Sequence, residues 1–363
     1  MPLLPDAEAF RRLVRGDDRG LAPTLARAAL AGLAVPFGTA VALRNAAFDH
    51  GLCAAQPGGV PVISIGNLTL GGTGKTPLVA WMAREMAARG LPPAIVSRGY
   101  GAARGQQSDE AAELSLLLPG VPHVADRDRV AGVRTAAAAG AAVVILDDGF
   151  QHRRLARDLD IVTVDATDPW GGGRLFPRGL LREPITGLTR ARVAVLTRAT
   201  AVDAARRGEI RAEGARACAG RNAPVWVDAE HRPLVLRSFS GTTRPLDWLA
   251  GRAVAAFAGI GNPAAFRESL APLAAPLRGF RGFPDHHRYS AADLDELGRW
   301  AHENRADVVL TTLKDLVKVR RDHLGAIPVF AVEISLVMLE NGLETIGPLL
   351  DALAGRPREG GDA

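Results

Sequence analysis

Residues 62–77 read VISIGNLTLGGTGKTP: an apolar run without alternation, a glycine-rich turn, then Lys75, Thr76 and a helical pattern from about Pro77. A run of this kind is the signature of a strand buried on both faces, as in a parallel sheet. A glycine-rich turn between such a strand and a helix leaves successive backbone N–H groups pointing at one spot, with the positive helix N-terminus behind them, so it binds phosphate oxygens. Against the phosphate-loop pattern G-x-x-x-x-G-K-[ST], Thr69 stands where the first glycine falls, and Gly71, Gly72, Thr73 and Gly74 lead into the Lys-Thr pair. Lys75 is then expected to reach the β- and γ-phosphates of ATP and Thr76 to ligate Mg²⁺.

Working outward, similar apolar runs occur at Val60 to Ile65, Ala94 to Ser97, Ala142 to Leu146, Asp160 to Val164 and Val193 to Leu196. Separated by helical patterns, they predict a doubly wound α/β domain. From Pro224 to Leu249 the texture becomes β-rich with polar interruptions (VWVD, PLVLR), which reads as a linker, in one form a two-stranded ribbon. A second, smaller α/β pattern begins at Ala253, with a helix near Pro263 to Leu270 and strands at Val308 to Thr311 and Val329 to Val332. The expected boundaries are 1–50 for an N-terminal helical segment, 51–223 for the nucleotide domain, 224–251 for the linker, 252–355 for the second domain and 356–363 for a disordered tail.

With 363 residues, 47% of them apolar and 23% charged, the chain is long enough for two domains with their own cores. A net charge of only +5 and the absence of a long Lys/Arg run argue against a nucleic-acid partner. Cys53 and Cys218 are far apart and lack a CxxC partner, which excludes a disulfide framework or zinc cluster and suits a reducing cytosol. Near the N-terminus, the apolar stretch Ala28 to Leu43 is shorter than the ~20 residues a spanning helix needs and is interrupted by Gly32, Pro36 and Gly38, so it is not expected to span. Two readings stay open for it. Arg11, Arg12, Arg15 and Arg19 upstream suit a helix lying in the interface of an anionic leaflet, whereas its alanine content equally suits a buried helix.

The second chemical signal is AAVVILDDGFQHRRL, residues 141–155, an apolar strand ending in paired carboxylates. In a phosphate-loop fold the neighbouring strand presents an acidic residue to the metal at its C-terminal end. Asp147 and Asp148 fit, and because successive strand residues face opposite ways, one serves the metal while the other orients a neighbour. Gln151 follows, then His152, Arg153 and Arg154, which read either as phosphate contacts or as surface charge. Within SDEAAEL, Asp109 by itself reads as a helix-capping carboxylate.

GNLTLGGTGKTP and LDDGFQHR together resemble the tetraacyldisaccharide 4'-kinase family of the lipid A pathway. The resemblance extends through SRGYG (97–101), the Ser108-Asp109-Glu110 element, WGGGRLFPRGLLREP (170–184), AGIGNPAAF, FPDHH and TTLKDLVK, covering about Val60 to Lys318. Gly172, Arg178, Leu180 and Leu313 depart from the family pattern. The resemblance implies two α/β/α domains of P-loop NTPase type joined by a two-stranded linker, with an N-terminal helix at the cytoplasmic face of the bacterial inner membrane. It implies ATP and Mg²⁺ as cofactors, and as acceptor a tetraacylated glucosamine disaccharide 1-phosphate phosphorylated on its 4'-hydroxyl, in a protein that is expected to be monomeric. By the same resemblance Lys75 is catalytic, Asp109 is the base, oriented by His286 from the other domain, Arg182 belongs to the nucleotide site, and Glu183 to the metal site with Thr76, Asp147 and Asp148. A rival from another class is an ATP-driven switch or assembly factor at the membrane, which shares the loop and the acidic strand end.

Overall fold

Runs of Val, Ile and Leu become strands and the Ala-, Leu- and Arg-rich stretches become helices, as their propensities favour. The computed structural model describes residues 7–99, 108–261, 263–273, 275–285, 287–340 and 342–355. The strands are β1 (Val62–Asn67), β2 (Pro93–Ser97), β3 (His123–Ala125), β4 (Val143–Asp147), β5 (Leu159–Asp165), β6 (Val193–Thr197), β7 (Val225–Arg237), β8 (Thr243–Arg244), β9 (Val254–Ala258), β10 (Leu277–Gly282), β11 (Val308–Thr312), β12 (His323–Leu324) and β13 (Ile327–Met338). The helices are α1 (Ala7–Arg15), α2 (Leu21–Asp49), α3 (Lys75–Ala88), α4 (Asp109–Leu117), α5 (Arg129–Ala138), α6 (Ala204–Ala217), α7 (Pro263–Ser269), α8 (Ala291–Glu303), α9 (Leu313–Val319) and α10 (Gly342–Ala354).

Two compact units share this chain, and they interleave along it: one takes Met1–Gly99, Gly120–His231 and Leu336–Ala363, the other Tyr100–Pro119 and Arg232–Ser335. Chain order alone assigned α4 to the first unit and α10 to the second, and the packing reverses both. Helix α4 packs against α9 within the second unit, while α10 buries Ile346, Leu350 and Leu353 in the first and is tied there by Arg89 to Asp351 at 2.8 Å. Strand β7 passes from one unit into the other where a separate linker was expected, and β13, expected within the second domain, also passes between the units. The expected tail, 356–363, lies outside the described residues.

In the first unit the strands β3-β2-β4-β1-β5-β6-β7 pair in that order, each parallel to the next. Ile63, Ile65, Val144 and Ile145 are almost wholly buried, as strands covered on both faces require. The chain moves from β1 outward to β2 and β3, returns to β4 beside β1, and only then crosses to β5 on the other side. Connections therefore leave β1 and β5 in opposite directions, and in open parallel sheets the crevice at the carboxyl ends of such strands is where ligands bind. The second unit has the parallel order β10-β9-β11-β13, with β12 antiparallel to β13 and β8 antiparallel to the end of β7.

Helix α2 corrects the reading of the N-terminal stretch. It runs 29 residues without a break through Gly32, Pro36 and Gly38, and is long and apolar enough to cross a membrane by length and composition. Pro36 removes one backbone bond and crowds the carbonyl four residues back, but the surrounding alanines and leucines favour helix. Nor is α2 a buried helix: within it only Val41 is fully buried, whereas Leu21, Leu25, Leu33, Val35 and Leu43 stand exposed. Its C-terminal end is moored to the first unit. Arg153 donates to Asn45 O at 3.1 Å and to Asp49 Oδ1 at 2.6 Å and lies over the Phe48 ring, and Phe37 meets Phe176 edge-on.

Candidate active site

The glycine turn leaves β1 at the centre of the first sheet, and the 180–183 segment clamps it from one side. Leu70 N–H donates to Leu180 O at 2.7 Å, Arg182 N–H donates to Leu68 O at 2.7 Å, and Thr69 is bridged to Leu181. Thr69, which stands in the first-glycine position, is thus buried in this bridge. On the other side Thr73 Oγ1 lies 2.7 Å from Thr163 Oγ1 of β5, and Thr197 Oγ1 at the end of β6 donates to Thr73 O at 2.9 Å. Gly71 and Gly74 have φ of 118° and 82°, the left-handed region that glycine enters without a Cβ penalty. Helix α3 begins at Lys75, immediately beyond Gly74.

Charges converge on the same edge of the sheet. Lys75 Nζ stands 3.2 Å from Asn67 Oδ1, to which it donates, and 3.4 Å from Asp148 Oδ1. Asp148, just past β4 at φ 56°, accepts from Arg182 Nη1 at 2.9 and 2.7 Å. Burial alone would raise the Asp148 carboxyl, but the charges and hydrogen bonds of Lys75 and Arg182 outweigh it and hold it at about 2. Gln151 Nε2 donates to Asn67 O and to Glu183 Oε1, each at 2.9 Å. Glu183 is fully buried, and its other oxygen accepts from Arg190 at 2.7 Å and Asn45 at 3.3 Å. Asp147 ends β4 as a buried carboxylate.

The structure therefore gathers Thr69 to Thr76, Asp148, Gln151, Arg182 and Glu183 into one site at the carboxyl end of β1 and β4. Among the described residues no three His, Cys, Asp or Glu side chains form a metal cage. The Thr76 hydroxyl and the Asp147 and Asp148 carboxylates are hard oxygen donors, a set that suits a cation such as Mg²⁺, which takes few protein ligands and keeps phosphate and water oxygens. Glu183 fits less well as a direct ligand, because Gln151, Arg190 and Asn45 occupy both of its oxygens; here it orients Gln151.

Several residues of this edge carry no motif. Asn67 lies inside the quoted stretch but its side chain has meaning only once it meets Lys75. Arg129, only 4% exposed, feels the charges of Asp148 and Asp147. Arg198 reaches Gly72 O at 3.4 Å and pairs with Asp165. The signal that could have found them is sheet order, since Asn67 ends β1, Arg198 directly follows β6 and Arg129 opens the helix after β3.

In the second unit Asp109 opens α4, but the cap is Ser108, whose Oγ accepts from Ala111 N–H at 3.2 Å. The capping reading thus belongs to the serine, and Asp109 occupies the first helical position. Its unit is also that of Asp285 and His287 rather than that of the glycine turn, which corrects the idea of a base and histidine drawn from different domains. His286 itself lies outside the described residues. Elsewhere in the same unit, Asp315 is a fully buried hub. Its carboxylate accepts from Gly259 N–H at 2.9 Å, Thr312 Oγ1 at 2.7 Å and Tyr289 Oη at 3.1 Å, and pairs with Lys318 at 2.8 Å.

Taken together, a largely parallel α/β sheet with a glycine turn, a lysine and acidic strand ends at its carboxyl edge defines a phosphotransferase class of site. The chain belongs to the tetraacyldisaccharide-1-P 4'-kinase (LpxK) family, whose model matches residues 26–347. It is 43% identical over 315 residues to the tetraacyldisaccharide 4'-kinase of Anaeromyxobacter dehalogenans strain 2CP-C, covering 81% of this chain and 82% of that protein. To the enzyme of the same name from Syntrophus aciditrophicus it is 39% identical over 321 residues, covering 82% and 85%. The crystal structure of LpxK from Aquifex aeolicus in complex with ATP superposes with a TM-score of 0.72 at 30% identity, over 90% of this chain and 99% of that one. The chain is accordingly an ATP-dependent lipid A 4'-kinase.

Proposed function

We propose that the glycine turn of residues 69–76 holds the ATP phosphates and that Lys75 is the cation that follows the transferred phosphoryl group. Lys75 carries the reading: it directly follows the glycine turn, and its ammonium is tethered by Asn67 and Asp148. When bound, ATP would supply the phosphoryl group and Mg²⁺ positive charge to offset that of the phosphates. The protein's share is positioning and fixed charge. The turn's amides and Lys75 face the negative charge, Thr76 with Asp147 or Asp148 offers oxygens to the cation, and Arg182 is held in place by Asp148. Lys75 and Arg182 neutralise the Asp148 carboxylate beside the turn.

The acceptor is a tetraacylated disaccharide 1-phosphate whose acyl chains stay at the cytoplasmic face of the inner membrane, and the exposed apolar side of α2 is the surface that meets it. Asp109 takes the proton of the 4'-hydroxyl, with His286 orienting it. A carboxylate is a weak base, but in a loose phosphoryl-transfer transition state the proton moves late, so placement matters more than basicity. The test is ATP turnover with and without the disaccharide acceptor in detergent. Acceptor should stimulate wild-type turnover, and Asp109→Ala should lower kcat by ~10²-fold or more. Turnover indifferent to acceptor, or an Asp109→Ala enzyme with normal kcat, would sink the assignment.

A further inference from the structure

The last residue of β7 within the first unit, His231, turns its imidazole onto the glycine turn. A Cβ added to Gly74 would collide with Cε1 of His231 and lie 2.5 Å from its Nε2, so the edge of the ring covers the glycine's Cα directly. The rest of the turn is bonded from the same side: Thr73 O accepts from Thr197, and Gly72 O lies 3.4 Å from both terminal nitrogens of Arg198. Gly74 has no side-chain cap of this kind. It meets the His231 ring and the methyl of Thr197, which would be 3.4 Å from its Cβ.

His231 has the marks of a group kept for a purpose other than its own stability. Its Nε2 is buried without a hydrogen-bond partner, and such an orphan is destabilising relative to a bonded or apolar replacement. Burial, with the Arg198 charge nearby, lowers the imidazole to about 4, so the ring adds no charge beside the phosphates at neutral pH. Glycine enters left- and right-handed backbone forms about equally. Something other than intrinsic preference must therefore keep Gly74 at φ 82°, the form in which its amide and that of Lys75 open the helix toward the turn.

We propose that His231 is a positioning residue of the kinase: its ring edge, set against the Cα of Gly74, holds the last step of the turn in the left-handed form that aims the Gly74 and Lys75 amides at the nucleotide phosphates. This rests on reading residues 69–76 as the nucleotide site. The role is steric, acting through Gly74, and requires a side chain that reaches the Cα without a charge. Glutamine keeps that reach and a flat polar end; alanine and serine do not.

Steady-state kinetics of the full-length enzyme in detergent, varying ATP and the disaccharide acceptor separately, test it. His231→Ala is expected to raise KM for ATP about tenfold or more with KM for the acceptor within about twofold, and His231→Gln to recover most of the loss. If the alanine variant does not fold, His231→Ser carries the same comparison. Wild-type KM for ATP in the variant, or equal changes for both substrates without rescue by glutamine, would overturn the inference. Lys75→Ala run alongside separates the two layers: if it keeps wild-type ATP binding and turnover, the reading of the turn itself fails, whereas its loss beside an unaffected His231→Ala removes only the role of His231.

Discussion

Lys75 and Arg182 hold the Asp148 carboxylate between them, and that small triad sets the electrostatics beside the turn. With its folded pKa depressed to about 2 against ~3.9 unfolded, the ion pairing is fully present above pH ~4 and is lost as pH falls through about 2. The side chain is 38% exposed and solvent-screened, so its weight in global stability is small. A carboxyl-carbon NMR titration should find Asp148 ionised down to about pH 2 and rising toward ~4 in the double variant Lys75→Met, Arg182→Met; an unchanged titration there would refute the pairing. The glycines, Lys75, Thr76 and the Asp147-Asp148 pair were legible because their chemistry is contiguous in sequence. Asn67, Arg129, Arg198 and His231 were not, since they come from separate elements, the end of β1, the start of α5, the residue after β6 and the middle of β7, that only the fold brings together. Nor does sequence reveal that both oxygens of Glu183 are already occupied.

Helix α2 shows where local pattern reading stops. The apolar texture and the flanking arginines were visible, but Gly32, Pro36 and Gly38 read as interruptions, whereas the helix runs through all three, carried by the helix-favouring alanines and leucines around them. Leu25, Leu33, Val35 and Leu43 give it an exposed apolar face, and its C-terminal end is fastened by Arg153. If that face lies in the bilayer, replacing Leu33 and Val35 by glutamate removes two buried aliphatic side chains, each worth roughly 1.5–3 kcal/mol. Flotation with phosphatidylglycerol-containing vesicles should then drop on the order of tenfold or more, with the melting temperature little changed because neither side chain packs on the protein. Undiminished flotation of the variant would show that α2 is not the membrane element. Helix α4 carries a related lesson: its cap and apolar side were readable, but its partner α9 is about 200 residues away in sequence, so its unit was not.

Across the whole molecule, the strand order β3-β2-β4-β1-β5-β6-β7 places every phosphate-facing candidate at one carboxyl edge, and membership of the 4'-kinase family supplies the reaction. The α/β class and the central strand followed from apolar runs alone, whereas the interleaving of the two units did not, because β7 and β13 serve both and no composition shift marks the passage. The claim joining these levels is that the turn ending in Lys75 delivers the γ-phosphoryl group to the lipid. Its most direct test is transfer of ³²P from [γ-³²P]ATP to the disaccharide acceptor by wild type and by Lys75→Ala, with melting temperatures measured on both. The account predicts label on the 4'-hydroxyl with wild type, and a loss of ~10²-fold or more in an equally stable Lys75→Ala protein. Transfer near the wild-type rate by that variant would contradict it.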